Sequence, residues 1–167
     1  MPVLPLEDFV RRRTLHHDDG FLGHSEVVGE SFVHAHVTLL GPFDAVPDQT
    51  KVGAVLRGVR AFDYRLAELD VFPNGIIHAV PSPSEGFSSL TTALRTAFPA
   101  VLPYRGQFPV RPHVTLEALS EQVTLAKVRE WTSRVLPTSA TAEAVDLVWY
   151  ESGNTRLVQR WRLANPG

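Results

Sequence analysis

The tetrapeptide HVTL occurs twice in this chain, within FVHAHVTLLGPF and again within VRPHVTLEAL. Each copy sets a histidine two residues before a threonine, His36 with Thr38 and His113 with Thr115. On a β-strand, residues two apart share a face and lie about 7 Å apart along the chain. Each copy then presents an imidazole, which titrates near neutrality, beside a hydroxyl that can donate to an anion. Two such strands side by side offer what phosphodiester cleavage without a metal requires. One histidine removes a proton from the attacking oxygen, and the other protonates the leaving oxygen. The hydroxyls hold the non-bridging oxygens, where negative charge grows in the transition state. A lone histidine on an apolar strand is ordinarily a core or edge residue, and threonine is simply a good strand former. The second copy, in the same strand context, turns the reading toward chemistry.

The elements that must position these side chains can be read from periodicity. Helical spacing of apolar residues predicts four helices, in PLEDFVRRRTLHHD, PDQTKVGAVLRGV, SEGFSSLTTALRTAF with Ser84 as N-cap, and TLAKVREWTSRVL. SFVHAHVTLL alternates as a strand, with His34, His36 and Thr38 on one face and Val33, Ala35 and Val37 on the other. FDYRLAELDVF and GIIHAVP flank the turn signal Pro73-Asn74-Gly75 and predict a hairpin. VRPHVTLEAL, AEAVDLVWYE and TRLVQRWRL add three strands, the last two joined across Ser152-Gly153-Asn154. The order is α+β, with one HVTL strand in each half and a hint of internal duplication.

Composition bounds the function. With 167 residues, 44% hydrophobic and 20% charged, the chain can bury a core and fits one domain or two small lobes sharing one. A net charge of −2 supplies no global field for an extended nucleic-acid duplex. The absence of cysteine removes disulfides, thiolate catalysis and cysteine-based zinc sites. Neither a signal peptide nor a membrane-spanning run is visible, so a cytoplasmic protein and a monomer are expected.

HAHVTLLGPF and RPHVTLEAL resemble the two signature motifs of the two-histidine (2H) phosphoesterase superfamily, whose bacterial members are called 2′-5′ RNA ligase-like. FPNGIIHAVP, SLTTALRTAF, PYRGQF and LVQRWRL are similar to the corresponding parts of that family, and the first 25 residues match least well. The resemblance implies a single bilobal domain over residues 1–167, with a pseudo-two-fold duplication, antiparallel sheets flanked by helices, and a central cleft. It implies His36 as general acid, His113 as general base, and Thr38 and Thr115 as phosphate ligands. It further implies a small cyclic nucleotide phosphate or an RNA end as substrate, with no metal and no cofactor. Where ligase-like members commonly carry an arginine after the second motif, this chain has Glu117-Ala118. A carboxylate on the face of His113 and Thr115 is unfavourable to a phosphate unless it is paired.

His34, Tyr104 and Arg105 are further candidates for substrate contact, by hydrogen bond, base stacking and phosphate pairing. Their plainer readings are a cleft-rim histidine and an ordinary turn. His78 alternates so as to face either core or cleft. Arg156, Arg160 and Arg162 read as a solvated strand face, and Arg11-Arg12-Arg13 as an exposed helix face. Two other functions compete. A protein of the same fold could bind a phosphate without turning it over, and His34-Ala35-His36 resembles a metal-binding pair, although no carboxylate stands at a useful spacing nearby.

Overall fold

The apolar periodicities close into helices where the caps permit. A computed structural model of the chain describes residues 1–17, 23–106 and 109–165, with the side chains of 15–17, 104 and 105 outside the described set. Helix α1 (Glu7–His17) follows a 3-10 turn at Leu4–Leu6. Helix α2 (Gln49–Leu56) starts where the Asp48 carboxylate accepts from the Thr50 and Lys51 N–H groups. Helix α4 (Leu125–Thr132) starts where the Thr124 hydroxyl accepts from Lys127 N–H. Helix α3 (Glu85–Ala97) buries Phe87, Leu90, Thr91 and Leu94. Ser84 stands at its N-cap position but makes no side-chain cap bond, contrary to the expectation. Its backbone is already close to helical, whereas capping needs an extended residue to aim the hydroxyl back at the first turn.

The described strands are β1 (His24–Ser25), β2 (Phe62–Val71), β3 (Ile76–Ser82), β4 (Val114–Ala118), β5 (Thr138–Ala142), β6 (Ala144–Trp149) and β7 (Arg156–Arg162). Four of them form an antiparallel sheet in the order β4-β3-β2-β5. The β2–β3 hairpin turns at Gly75, whose φ of 87° is open to glycine and strained for other residues. A second sheet has the order β1-β7-β6, in which the two-residue β1 runs parallel to β7. Every other strand pairing described is antiparallel, as expected. Strand β5, TSATA, carries no apolar alternation and cannot be read from the sequence; its pairing with β2 makes it a strand. The architecture is α+β, helices on antiparallel sheets.

Residues 31–40 do not form the continuous strand that alternation predicts. Only His36 and Val37 bridge to neighbours. The segment is nonetheless extended and held on both sides. Val3 N–H donates to Ala35 O at 2.8 Å and Val37 N–H to Met1 O at 2.9 Å on one side, while Val37 bridges Val114 on the other. The alternation itself holds: Val33, Ala35, Val37 and Leu39 are all buried. Val37 and Val114 join a core with Leu6, Leu66, Phe87 and Leu116, and both are fully buried. Burying a valine stabilises by roughly 1.5–3 kcal/mol, so this pair decides which way the two motifs face.

Candidate active site

The bridge between Val37 and Val114 is antiparallel. Continuing its register by one residue sets His36 against Thr115 and Thr38 against His113. Residues opposite one another on adjacent strands share a face, with Cβ atoms about 4.5–5.5 Å apart. Both valines turn into the core, so both histidines and both threonines turn away from it. His36 and Thr115 accordingly line one small cavity of about 170 Å³, and the charge of His113 acts on His36.

The two imidazoles are oriented alike. His36 Nδ1 lies 2.6 Å from the carbonyl oxygen of His34, and His113 Nδ1 lies 2.7 Å from that of Arg111. A carbonyl can only accept, so each Nδ1 carries the proton and each Nε2 is left for chemistry. Their surroundings differ. Burial lowers the His36 pKa to about 4, helped by the positive charge of the amino terminus and opposed by the bond to His34 O. Behind it, the Glu7 carboxylate accepts from the N–H groups of His34 and Ala35 at 2.7 and 2.9 Å, and from His34 Nδ1 at 2.9 Å. Burial pushes the Glu7 pKa up, but these hydrogen bonds outweigh it and hold the carboxyl below its usual range. His34 is thus a largely buried partner of Glu7, its side chain 8% exposed, in the wall of the same small cavity.

His113 is backed by aromatic rings. Phe72 stacks on His78 at 3.8 Å between centroids and meets His113 edge-on at 4.8 Å; His78 and His113 are 5.4 Å apart. His78 pairs with Thr115 across β3 and β4, so it shares the face of the motif rather than the core behind it, while only 3% exposed. Burial lowers its pKa, a bond to Ile76 O opposing.

The rest of the wall settles several readings. Glu117, 8% exposed, pairs with Arg13 of α1 at 3.0 Å, so its charge is not left facing an anion alone. Arg13 is therefore half-buried, unlike its exposed neighbours Arg11 and Arg12, and the triplet is not a uniformly solvated face. The arginine row on β7 is likewise not simply solvated. Arg160 makes paired bonds to Asp146 at 2.7 and 2.6 Å and also bonds Glu30; Arg162 bonds Glu30, and Arg156 pairs with Glu26. The side chains of Tyr104 and Arg105 lie outside the described residues. Tyr150, absent from the sequence reading, has its ring 6.0 Å from that of His36 and borders both the small cavity and a larger one. The larger cavity, about 690 Å³, starts at His36 and Thr38 and runs past Leu40, Phe43, Trp149 and Trp161. Glu7 and Arg13 were also missed, because only tertiary packing brings α1 against both motifs. Among the described residues, no group of three or more His, Asp or Glu is placed to hold a metal, and no helix is long and apolar enough to cross a membrane.

Comparison with known proteins bears on fold and family. TT0787 of Thermus thermophilus is 20% identical over 99% of this chain and 95% of its own, with a TM-score of 0.60. E. coli LigT complexed with 3′-AMP is 19% identical over 98% of this chain and 94% of its own, with a TM-score of 0.57. The same protein complexed with NADP+ gives 20% identity over the same shares and a TM-score of 0.54. At such identities the likeness shows the fold. Among curated proteins no relative matches. The family model described as the 2′-5′ RNA ligase superfamily matches residues 5–154, which include both HVTL motifs, and the chain belongs to that superfamily of two-histidine phosphoesterases.

Proposed function

We propose that the protein is a metal-independent phosphodiesterase that opens a 2′,3′-cyclic phosphate or cleaves another small-nucleotide or RNA-terminal phosphodiester, its two motif segments acting within one bilobal domain. The observation that supports this reading is the antiparallel Val37–Val114 bridge, which lays the two motif segments side by side. One phosphate fits such a set. Thr38 and Thr115 donate to its non-bridging oxygens. His113 Nε2 takes a proton from water as the new P–O bond forms, and His36 Nε2–H protonates the 2′ or 3′ oxygen as its bond to phosphorus breaks. The products are a phosphomonoester and a free hydroxyl.

In the free protein His36 is neutral near pH 7, since its pKa is about 4. A bound phosphate anion beside it raises that pKa, so the acid acquires its proton together with the substrate. Complexes of E. coli LigT with 3′-AMP, ATP and NADP+ support small nucleotides as the ligand class. The larger cavity, with its aromatic and aliphatic walls, suits one base, and Tyr150 lines it together with Phe43, Trp149 and Trp161.

The test is a panel of 2′,3′-cyclic nucleotides and 2′-5′ dinucleotides assayed in chelator, with wild type, His36→Ala and His113→Ala. Turnover by wild type alone is expected. Tight binding of every panel member without turnover would replace the enzyme with a phosphate-binding protein, and activity restored only by zinc would favour the metal hydrolase.

A further inference from the structure

The first motif is joined to its neighbours by isolated bridges only, yet its histidine makes the same bond to a carbonyl two residues upstream as that of the second. The reason lies on α1. Both Glu7 oxygens are used on this segment: Oε2 accepts from two successive peptide N–H groups, those of His34 and Ala35, and Oε1 accepts from the His34 ring. The peptide group that begins at the His34 carbonyl ends at the Ala35 N–H. Glu7 thus grips one end of the peptide whose other end, the His34 oxygen, receives His36 Nδ1–H. No sheet ladder fixes this peptide, because 31–35 make no strand pairing in the described structure.

From this chain of bonds we infer that Glu7 is a positioning residue for His36, acting through the His34–Ala35 peptide. A rotation of that peptide would carry its carbonyl away from Nδ1 and free the imidazole to turn. Near-attack geometry is sensitive at this scale, and a displacement of about 1 Å can cost about 10²-fold in rate. The second half-site supplies an internal control. His113 makes the same bond to a carbonyl two residues upstream, but Arg111 lies next to a four-stranded sheet and far in the chain from α1's first turn. Removing Glu7 should therefore loosen one histidine and leave the other.

The inference concerns the role of His36 in the proposed reaction, so its test includes a readout that does not need turnover. Glu7→Gln and Glu7→Ala are compared with wild type and with Asp8→Ala, a change at the exposed neighbouring position. Imidazole ¹⁵N–¹H NMR should show two protected Nδ1–H signals from the motif histidines in wild type. In Glu7→Ala the His36 signal should be lost or exchange-broadened while that of His113 stays; Glu7→Gln, which keeps one acceptor oxygen, should show an intermediate state. On a turned-over substrate, kcat should fall about 10–100-fold in Glu7→Ala with KM within about twofold, and Asp8→Ala should match wild type. An unchanged His36 signal in a folded Glu7→Ala variant, a His36 signal identical to wild type in Glu7→Gln where Glu7→Ala does not fold, or equal loss of both histidine signals overturns the inference. If wild type shows no turnover, the proposed reaction fails, and the NMR comparison still decides whether Glu7 holds His36.

Discussion

The two halves of the site carry the same four residues, HVTL, on different kinds of support. The second copy runs into β4, whose neighbour β3 belongs to a long hairpin with β2, and its histidine rests against Phe72 and His78. The first copy lies on an irregular segment clasped between residues 1–3, β4 and a carboxylate from α1. Equal sequence therefore does not mean equal chemistry. Burial depresses the pKa of His36, and a carboxylate stands behind its backbone; the rings around His113 provide apolar contact and a second imidazole, whose pKa burial also lowers. The same tetrapeptide is thus set in two different environments, and the surroundings, not the motif alone, decide what its imidazole meets.

The largest effects test whether both halves are needed. His36→Ala and His113→Ala should each reduce kcat by about 10²–10⁴, and the double variant should lose little more than either, since the two act as a unit. Steady-state kinetics on a cyclic nucleotide checks this; a double loss equal to the product of the singles would mean the halves work independently. Next in size are the threonines. Thr38→Val and Thr115→Val each remove one hydroxyl donor to an anion, an interaction worth about 1.5–3 kcal/mol, so kcat/KM should fall about 10–150-fold. An unchanged value for either variant would remove that residue from the phosphate site.

Smaller effects sharpen the contrast between the halves. Phe72→Leu takes away the ring that touches both His78 and His113. It should lower kcat by a few-fold, about 3–10, through the second half alone. Movement of the His36 NMR signals in that variant, with those of His113 unmoved, would reverse the assignment. The smallest expected effect is on stability. His36 has a folded pKa of about 4 against an ordinary 6.5. Between those values the unfolded chain takes up a proton that the folded one refuses, so this residue's contribution is intact above about pH 6.5 and lost as pH falls toward 4. Thermal melts at pH 7 and pH 4.5 should therefore show a smaller drop for His36→Gln than for wild type. Equal drops would mean that His36 is not buried in its neutral form.

Much of this was legible in the chain because it is local. Alternation in FVHAHVTLL assigns Val37 to the core and His36 and Thr38 to the opposite face, whether or not the segment joins a sheet, because the period of an extended chain is two in either case. PNG announces the β2–β3 turn through the one residue tolerant of positive φ. The paired motif also carried the family, which the match over residues 5–154 bears out. Ser84 shows where local reading stops: its residue type suits a cap, but its backbone is turned the wrong way.

What only the tertiary structure decided is which distant groups stand behind each motif. Glu7 and Arg13 look like ordinary charges on a helix, yet one binds the peptide before His36 and the other neutralises Glu117. Arg160 and Arg162 look like a solvated row until Glu30 and Asp146 meet them. The ambiguity at His78 is resolved by the register of β3 on β4, which sets it beside Thr115. Residue type and spacing determine what a side chain can donate, accept or bury, because those are properties of a few consecutive bonds. Which partner answers it depends on chain segments far apart in sequence, and burial and charge at a site are sums over all of them.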